Sequence, residues 1–97
     1  MIEGTFPAGI KPKGFQALAV SATAVALTVP SGAVRAIIAV EAQPIRWRDD
    51  GTNPSATVGF LEVATSRFTI SGKESLLAFK AIKDGATDSA LSVVYYG

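Results

Sequence analysis

The sequence predicts an all-β fold, a single antiparallel β-sandwich of the jelly-roll or immunoglobulin type with an extended N-terminal arm. Turn signals rich in Gly, Pro, Asn and Asp recur about every 8–12 residues, which is typical of a sandwich or small barrel. The stretches between them are rich in β-branched and aromatic residues, which favour strands. We therefore divide the chain into an arm at residues 1–15 and a sandwich domain at residues 16–97.

We expect the arm to be extended because its prolines and glycines disfavour regular structure. Residues 16–28 are alanine-rich and could form a helix, but their β-branched residues favour strands. The predicted strands are Gln16–Ser21, Ala24–Val29, Val34–Glu41, Ile45–Arg48, Thr57–Val63, Arg67–Ser71, Leu76–Ile82 and Ser89–Tyr96. Turns are predicted at 30–32, 49–54, 71–73 and 84–85.

Alternation along these strands predicts which side chains form the core. In the segment 45–48, Ile45 and Trp47 should face inward, while Arg46 and Arg48 should face outward. The core candidates are Val34, Ile38, Val40, Trp47, Phe68, Ile70, Phe79, Leu91 and Val93.

Some strands are apolar on both faces, although a two-layer sandwich needs only one apolar face per strand. The chain is also poor in charge, with 18% charged and 48% hydrophobic residues. Both features predict a homo-oligomer that buries part of its surface against like subunits. The interface candidates are Ile2, Phe6, Ile10, Phe15, Ile37 and Tyr96.

The composition argues against several kinds of chemistry. The chain has no Cys and no His, which removes thiol nucleophiles and the commonest general base and metal ligand. We expect no enzyme activity, cofactor or metal, although a Ser–Lys pair with Lys73 or Lys80 stays open. The net charge of +1 predicts no nucleic-acid partner. The apolar run 17–29 is too short to span a bilayer, and its flanks fit a signal peptide poorly.

A polar loop follows the Trp-containing strand. Asp49, Asp50 and Asn53 could ligate calcium, but the segment matches the EF-hand calcium loop poorly and has no Glu at its end. The alternative is a turn in which the aspartates bond backbone amides or pair with Arg46 and Arg48. The arginines and Trp47 could also form a nucleic-acid platform, but the aspartates cancel their charge and alternation separates the ring from them.

Five short segments carry motifs that can be compared with known proteins. They are Leu27–Ala33, which contains VPSGA, Ile38–Glu41, Ile45–Ala56, which contains RWRDDGT, Phe79–Ile82, and Ala90–Tyr96 with its two closing tyrosines. Together these segments resemble small virion structural proteins of tailed bacteriophages. The resemblance covers about residues 27–96 and leaves out the arm. It implies a non-catalytic β-sandwich that is incorporated in the particle.

The predicted function is that of a capsid decoration or cement protein, located in the virion and assembled in the host cytoplasm. Its partners would be like subunits and the major capsid protein or other virion proteins, with neither nucleic acid nor membrane. One alternative is a neck, collar or tail structural component. Another is a receptor- or carbohydrate-binding module, which exposed aromatic residues around a groove would favour.

Overall fold

Two four-stranded antiparallel sheets pack face to face in the computed structural model, which describes residues 10–97. The interface candidates Ile2 and Phe6 lie outside the described residues. The elements in chain order are β1 (Pro12–Val20), β2 (Val25–Ala26), β3 (Arg35–Val40), β4 (Ile45–Arg48), β5 (Phe60–Glu62), β6 (Arg67–Ser71), α1 (Lys73–Ala78), β7 (Lys80–Lys83) and β8 (Ser89–Tyr96).

The strand order is that of a jelly roll. The first sheet has the order β1-β8-β3-β6, and the second has the order β2-β7-β4-β5. Apart from the step from β4 to β5, each connection between consecutive strands passes from one sheet to the other. Eight strands in two sheets connected in this way define a jelly roll. The predicted β-sandwich is confirmed, and its connectivity is of the jelly-roll rather than the immunoglobulin type.

The core lies between the two sheets and contains most of the predicted residues. Ile38, Val40, Phe79, Leu91 and Val93 are almost fully buried, and Ile70 joins them. Ile45, which alternation predicts to face inward, is fully buried as well. Further core residues that are not among the candidates include Val20, Leu27, Ala36, Leu76 and Tyr95. Trp47 and Phe68 are half-buried and pack against this cluster.

Val34 was wrongly predicted as a core residue, since 39% of its surface is exposed. It precedes the first residue of β3 and lies at the end of the sheet. Its backbone N–H donates to the carbonyl of Tyr96, and its own carbonyl accepts from the N–H of Gly72. The backbone of Val34 thus continues the hydrogen bonding of the sheet, while its side chain remains exposed.

The prediction of a turn at 71–73 followed by a strand at 76–82 is also wrong, because α1 occupies residues 73–78. Glu74, Leu76 and Leu77 favour helices, and the carbonyl of Gly72 accepts a hydrogen bond from the N–H of Leu76 at 3.1 Å. Leu76 is fully buried and anchors the helix to the core. The strand that follows, β7, begins only at Lys80.

The boundary of the arm differs from the prediction as well. β1 begins at Pro12, so residues 12–15 pair with β8 instead of preceding the domain. A proline is tolerated there because β1 is an edge strand. The strands 45–48, 67–71 and 89–96 have their predicted bounds, whereas those predicted at 24–29 and 57–63 are shortened to β2 and β5.

Candidate functional site

The first sheet has an outward surface that the rest of the described chain does not cover. We call it the outer face and define it by the residues of β1, β8, β3 and β6 that alternate with core positions. They are Phe15, Ala17, Ala19, Ala90, Ser92, Val94, Tyr96, Arg35, Ile37, Ala39, Arg67 and Thr69. None of these positions is buried within residues 10–97, whereas their neighbours facing the second sheet are buried or half-buried.

Strand register brings the predicted interface residues together on this face. Val94 lies between Phe15 and Ile37 as the register partner of both, and Thr69 continues the same row. Tyr96 lies next to Val94 on the same side of β8, opposite Arg35. Alternation along the final strand could have singled out Val94.

The outer face is apolar at its centre, and five of its twelve side chains are those of alanine or serine. The row next to that of Val94 is formed by Ala17, Ser92, Ala39 and Arg67. Small residues would allow another molecule to approach the sheet closely, and the ring of Phe15 is an exposed apolar surface on this face. Ile10, the remaining interface candidate within the described residues, is half-buried and precedes β1.

A second surface lies at the edge of the second sheet, where aromatic rings connect the core to the exterior. The ring of Trp47 stacks on Phe68 at 5.1 Å and on Phe79 at 5.6 Å between centroids. The ring centroid of Trp47 also lies 5.1 Å from that of Phe60, and the two ring planes are tilted by 39°. Trp47 is half-buried rather than buried as predicted, because its register partner Phe60 belongs to the edge strand β5 and is 65% exposed.

The loop after β4 is held by an ion pair between Arg48 and Asp50 and by a hydrogen bond from the backbone to Asp50. This is the turn that the sequence predicts as the alternative to a calcium site. Nε of Arg48 donates to Oδ1 of Asp50 at 3.1 Å, and a second guanidinium nitrogen donates to Oδ2. Oδ1 also accepts from the N–H of Thr52 at 3.1 Å. The hydrogen bonds from Arg48 and Thr52 lower the pKa of the Asp50 carboxyl, and the bond to Asp50 raises the pKa of Arg48.

Arg46 does not pair with this loop. Its guanidinium donates to Asp84 at 2.9 Å and to the carbonyl of Gly59 at 3.1 Å. Asp84 is distant in sequence, but β7 lies beside β4 and brings it close, so sequence spacing alone carried no signal for this pair. Asp49 is half-buried and forms no ion pair with Arg46 or Arg48, which pair with Asp84 and Asp50.

Beside this loop lies an open depression of about 370 Å³, lined by Arg48, Asp49, Asp50, Gly59 and Phe60.

Among residues 10–97, no group of three or more His, Cys, Asp or Glu side chains is arranged to hold a metal ion. In the same residues, no hydrogen bond connects Lys73 or Lys80 to a serine. No helix of the described chain has the length and apolar character needed to cross a membrane.

Strand order and surfaces together define residues 10–97 as a jelly-roll sandwich with a largely apolar outer face that no other part of these residues covers. Comparison of the sequence and structure with protein-family models, curated proteins and solved structures finds no match. The resemblance to phage virion proteins therefore stays a prediction that rests on the sequence segments named above.

Proposed function

We propose that this protein is a non-catalytic structural subunit of a tailed-bacteriophage virion and that it decorates the head. The observation that carries the proposal is the outer face. Phe15, Val94 and Ile37 form a continuous apolar row across three strands, in which residues 10–97 leave Phe15 exposed and the other two half-buried. A surface of this kind marks a site of association with another protein.

The energetics favour such association. A large apolar side chain contributes about 1.5–3 kcal/mol when it passes from full exposure to full burial. Phe15 is 65% exposed and has most of that gain still available, whereas the half-buried Val94 and Ile37 have less. Contacts that exist only in the assembled shell stabilise that shell by mass action. The mechanism is therefore association with like subunits and with the capsid protein, without chemistry.

The fold and the composition agree with this role. Jelly rolls are frequent among viral capsid domains, although a fold by itself does not determine function. The chain lacks the His and Cys side chains on which many catalytic sites depend. The sequence resemblance provides the link to tailed phages and to the virion as the location.

Immunogold electron microscopy tests both the role and the place in the particle. An antibody raised against the purified chain should label heads over their whole surface, and particles that lack its gene should stay unlabelled. Label confined to the neck or the tail would replace decoration by the neck or tail alternative. Particles without any label would contradict a virion role.

A further inference from the structure

The ring of Phe60 is exposed but held in place. It projects from the edge strand β5 with 65% of its surface exposed, and it contacts the ring of Trp47. Trp47 is itself fixed by nearly parallel stacking on Phe68 and by Phe79 in the core. A ring supported in this way presents an apolar surface to solvent and loses little further freedom when a ligand covers it.

The depression beside this ring is shaped by the backbone at Gly59. The backbone φ of Gly59 is 137°, a value that residues with a side chain rarely adopt. A Cβ atom at this position would lie 3.1 Å from Cβ of Pro54 and 3.2 Å from the carbonyl oxygen of Trp47. Glycine therefore lets the chain pass close to β4. The volume of about 370 Å³ lies within the range of small-molecule sites, which is roughly 300–1,000 Å³.

The polar side chains of the depression offer hydrogen-bond donors and acceptors next to each other. Arg48 is held by Asp50 through two bonds, so its guanidinium is oriented before any ligand arrives. A guanidinium has further N–H groups that can donate. The carboxylate of Asp49 lines the same depression and can accept.

We propose that this depression binds a neutral pyranose sugar. The apolar C–H face of the sugar ring would cover Phe60, and neighbouring hydroxyls would accept from Arg48 and donate to Asp49. An anionic ligand would meet the carboxylates of Asp49 and Asp50, and a cationic ligand would meet the guanidinium of Arg48. A neutral ring with one apolar face and adjacent hydroxyls satisfies all of these groups.

The site contains its own reporter, because Trp47 is the single tryptophan of the chain and touches Phe60. The intact chain is titrated with glucose, galactose, mannose, N-acetylglucosamine and rhamnose while tryptophan emission is recorded. Saturation-transfer NMR on the same samples detects contact with the sugar directly. At least one of these sugars should bind with saturable, millimolar affinity and should shift the emission.

Variants locate the binding to this site. Phe60→Ala should weaken binding about tenfold, as expected for loss of one aromatic contact, and Phe60→Tyr should retain it. Asp49→Asn should weaken binding through the loss of a charged acceptor. Leu61→Ala is the matched control, because Leu61 is an exposed apolar neighbour on β5 that does not line the depression.

The proposal is overturned if none of these sugars gives a saturable response by either method. It is also overturned if the folded Phe60→Ala and Asp49→Asn proteins bind as tightly as the unchanged chain. The assay uses the purified protein and is independent of its place in a particle. Failure here would leave the proposed virion function untouched, and failure of that function would leave the sugar site untouched.

Discussion

The buried hydroxyl of Tyr95 donates a hydrogen bond of 2.6 Å to Oε1 of Gln16, which ties β8 to β1 from within the sandwich. The same oxygen accepts from the backbone N–H of Thr28 at 3.1 Å, so three segments meet at one side-chain amide. Tyr95 is 1% exposed, and burial raises its pKa from 10.0 to about 12. The hydroxyl therefore remains a donor at pH values at which an exposed tyrosine would ionise.

This raised pKa predicts a loss of stability in alkali. In the unfolded chain Tyr95 ionises near its ordinary pKa of 10.0, whereas in the folded chain it stays protonated up to about 12. The unfolded state thus releases the proton first, and the free energy of unfolding falls as the pH rises from 10.0 towards 12. Urea denaturation across this range measures the effect. Tyr95→Phe should show a shallower fall, and an unchanged pH dependence in that variant would refute the assignment to Tyr95.

Replacement of Trp47 by alanine should destabilise the fold substantially. The indole contacts three other rings, and large-to-small changes of this kind cost about 3–5 kcal/mol when the ring is in the core. Because Trp47 is half-buried, we expect a loss near the lower end, about 3 kcal/mol. Phe60→Ala is the control, since its ring is mostly exposed and its loss should cost much less. Equal losses for the two variants in urea denaturation would show that the stack does not support the core.

Calcium should leave the melting temperature of the protein unchanged. The carboxylate of Asp50 is already engaged by Arg48 and by the N–H of Thr52, which makes it a poor ligand for a metal ion. Its pKa is lowered by these bonds, so its contribution to stability is present above its ordinary pKa and disappears as the pH falls through the lowered value. Thermal melts with and without calcium test the loop. A clear rise with calcium that disappears in Asp50→Asn would establish a metal site instead.

Removal of residues 1–9 should leave a folded sandwich that associates less well with like subunits, because the deletion removes the interface candidates Ile2 and Phe6. Lys11 exchanges two backbone hydrogen bonds of 2.9 Å with Gly97, and Pro12 begins β1, so the deletion must end before residue 10. A deletion through residue 13, by contrast, should destabilise the fold. Melting curves and sedimentation velocity separate the two effects. If the shorter deletion unfolds the chain or leaves its association unchanged, the segment does not connect subunits.

The local sequence pattern predicts the bounds of a strand correctly where alternation of apolar and polar residues is followed directly by a strong turn signal. Ile45 and Trp47 alternate with arginines directly before the loop that begins at Asp49, and β4 has the predicted bounds. Pattern failed at Leu76, because an apolar run of that length is compatible with either a helix or a strand, and only packing against the core decides. It also failed at Val34, because the alternation continues past the first residue of β3 to a side chain that is exposed.

The candidate surfaces were predictable only in part. Apolar residues on both faces of the strands indicated that one face lacks cover, and Phe15, Ile37 and Tyr96 do lie on the outer face. Contacts between residues that are distant in sequence could not be predicted from the spacing of residues along the chain. The pair of Arg46 and Asp84 requires β4 to lie beside β7, and the contact of Phe60 with Trp47 requires the register between β4 and β5.

The most direct test of a virion role through the outer face is the number of copies of the chain in each particle, measured by quantitative mass spectrometry of purified phage. Phe15→Glu and Phe60→Glu form a matched pair, since both rings are 65% exposed and both lie on edge strands, one on each sheet. Both variants should fold, as judged by their melting curves. The copy number should fall strongly for Phe15→Glu and remain unchanged for Phe60→Glu. Absence of the unchanged chain from particles, or full incorporation of Phe15→Glu, would contradict the account.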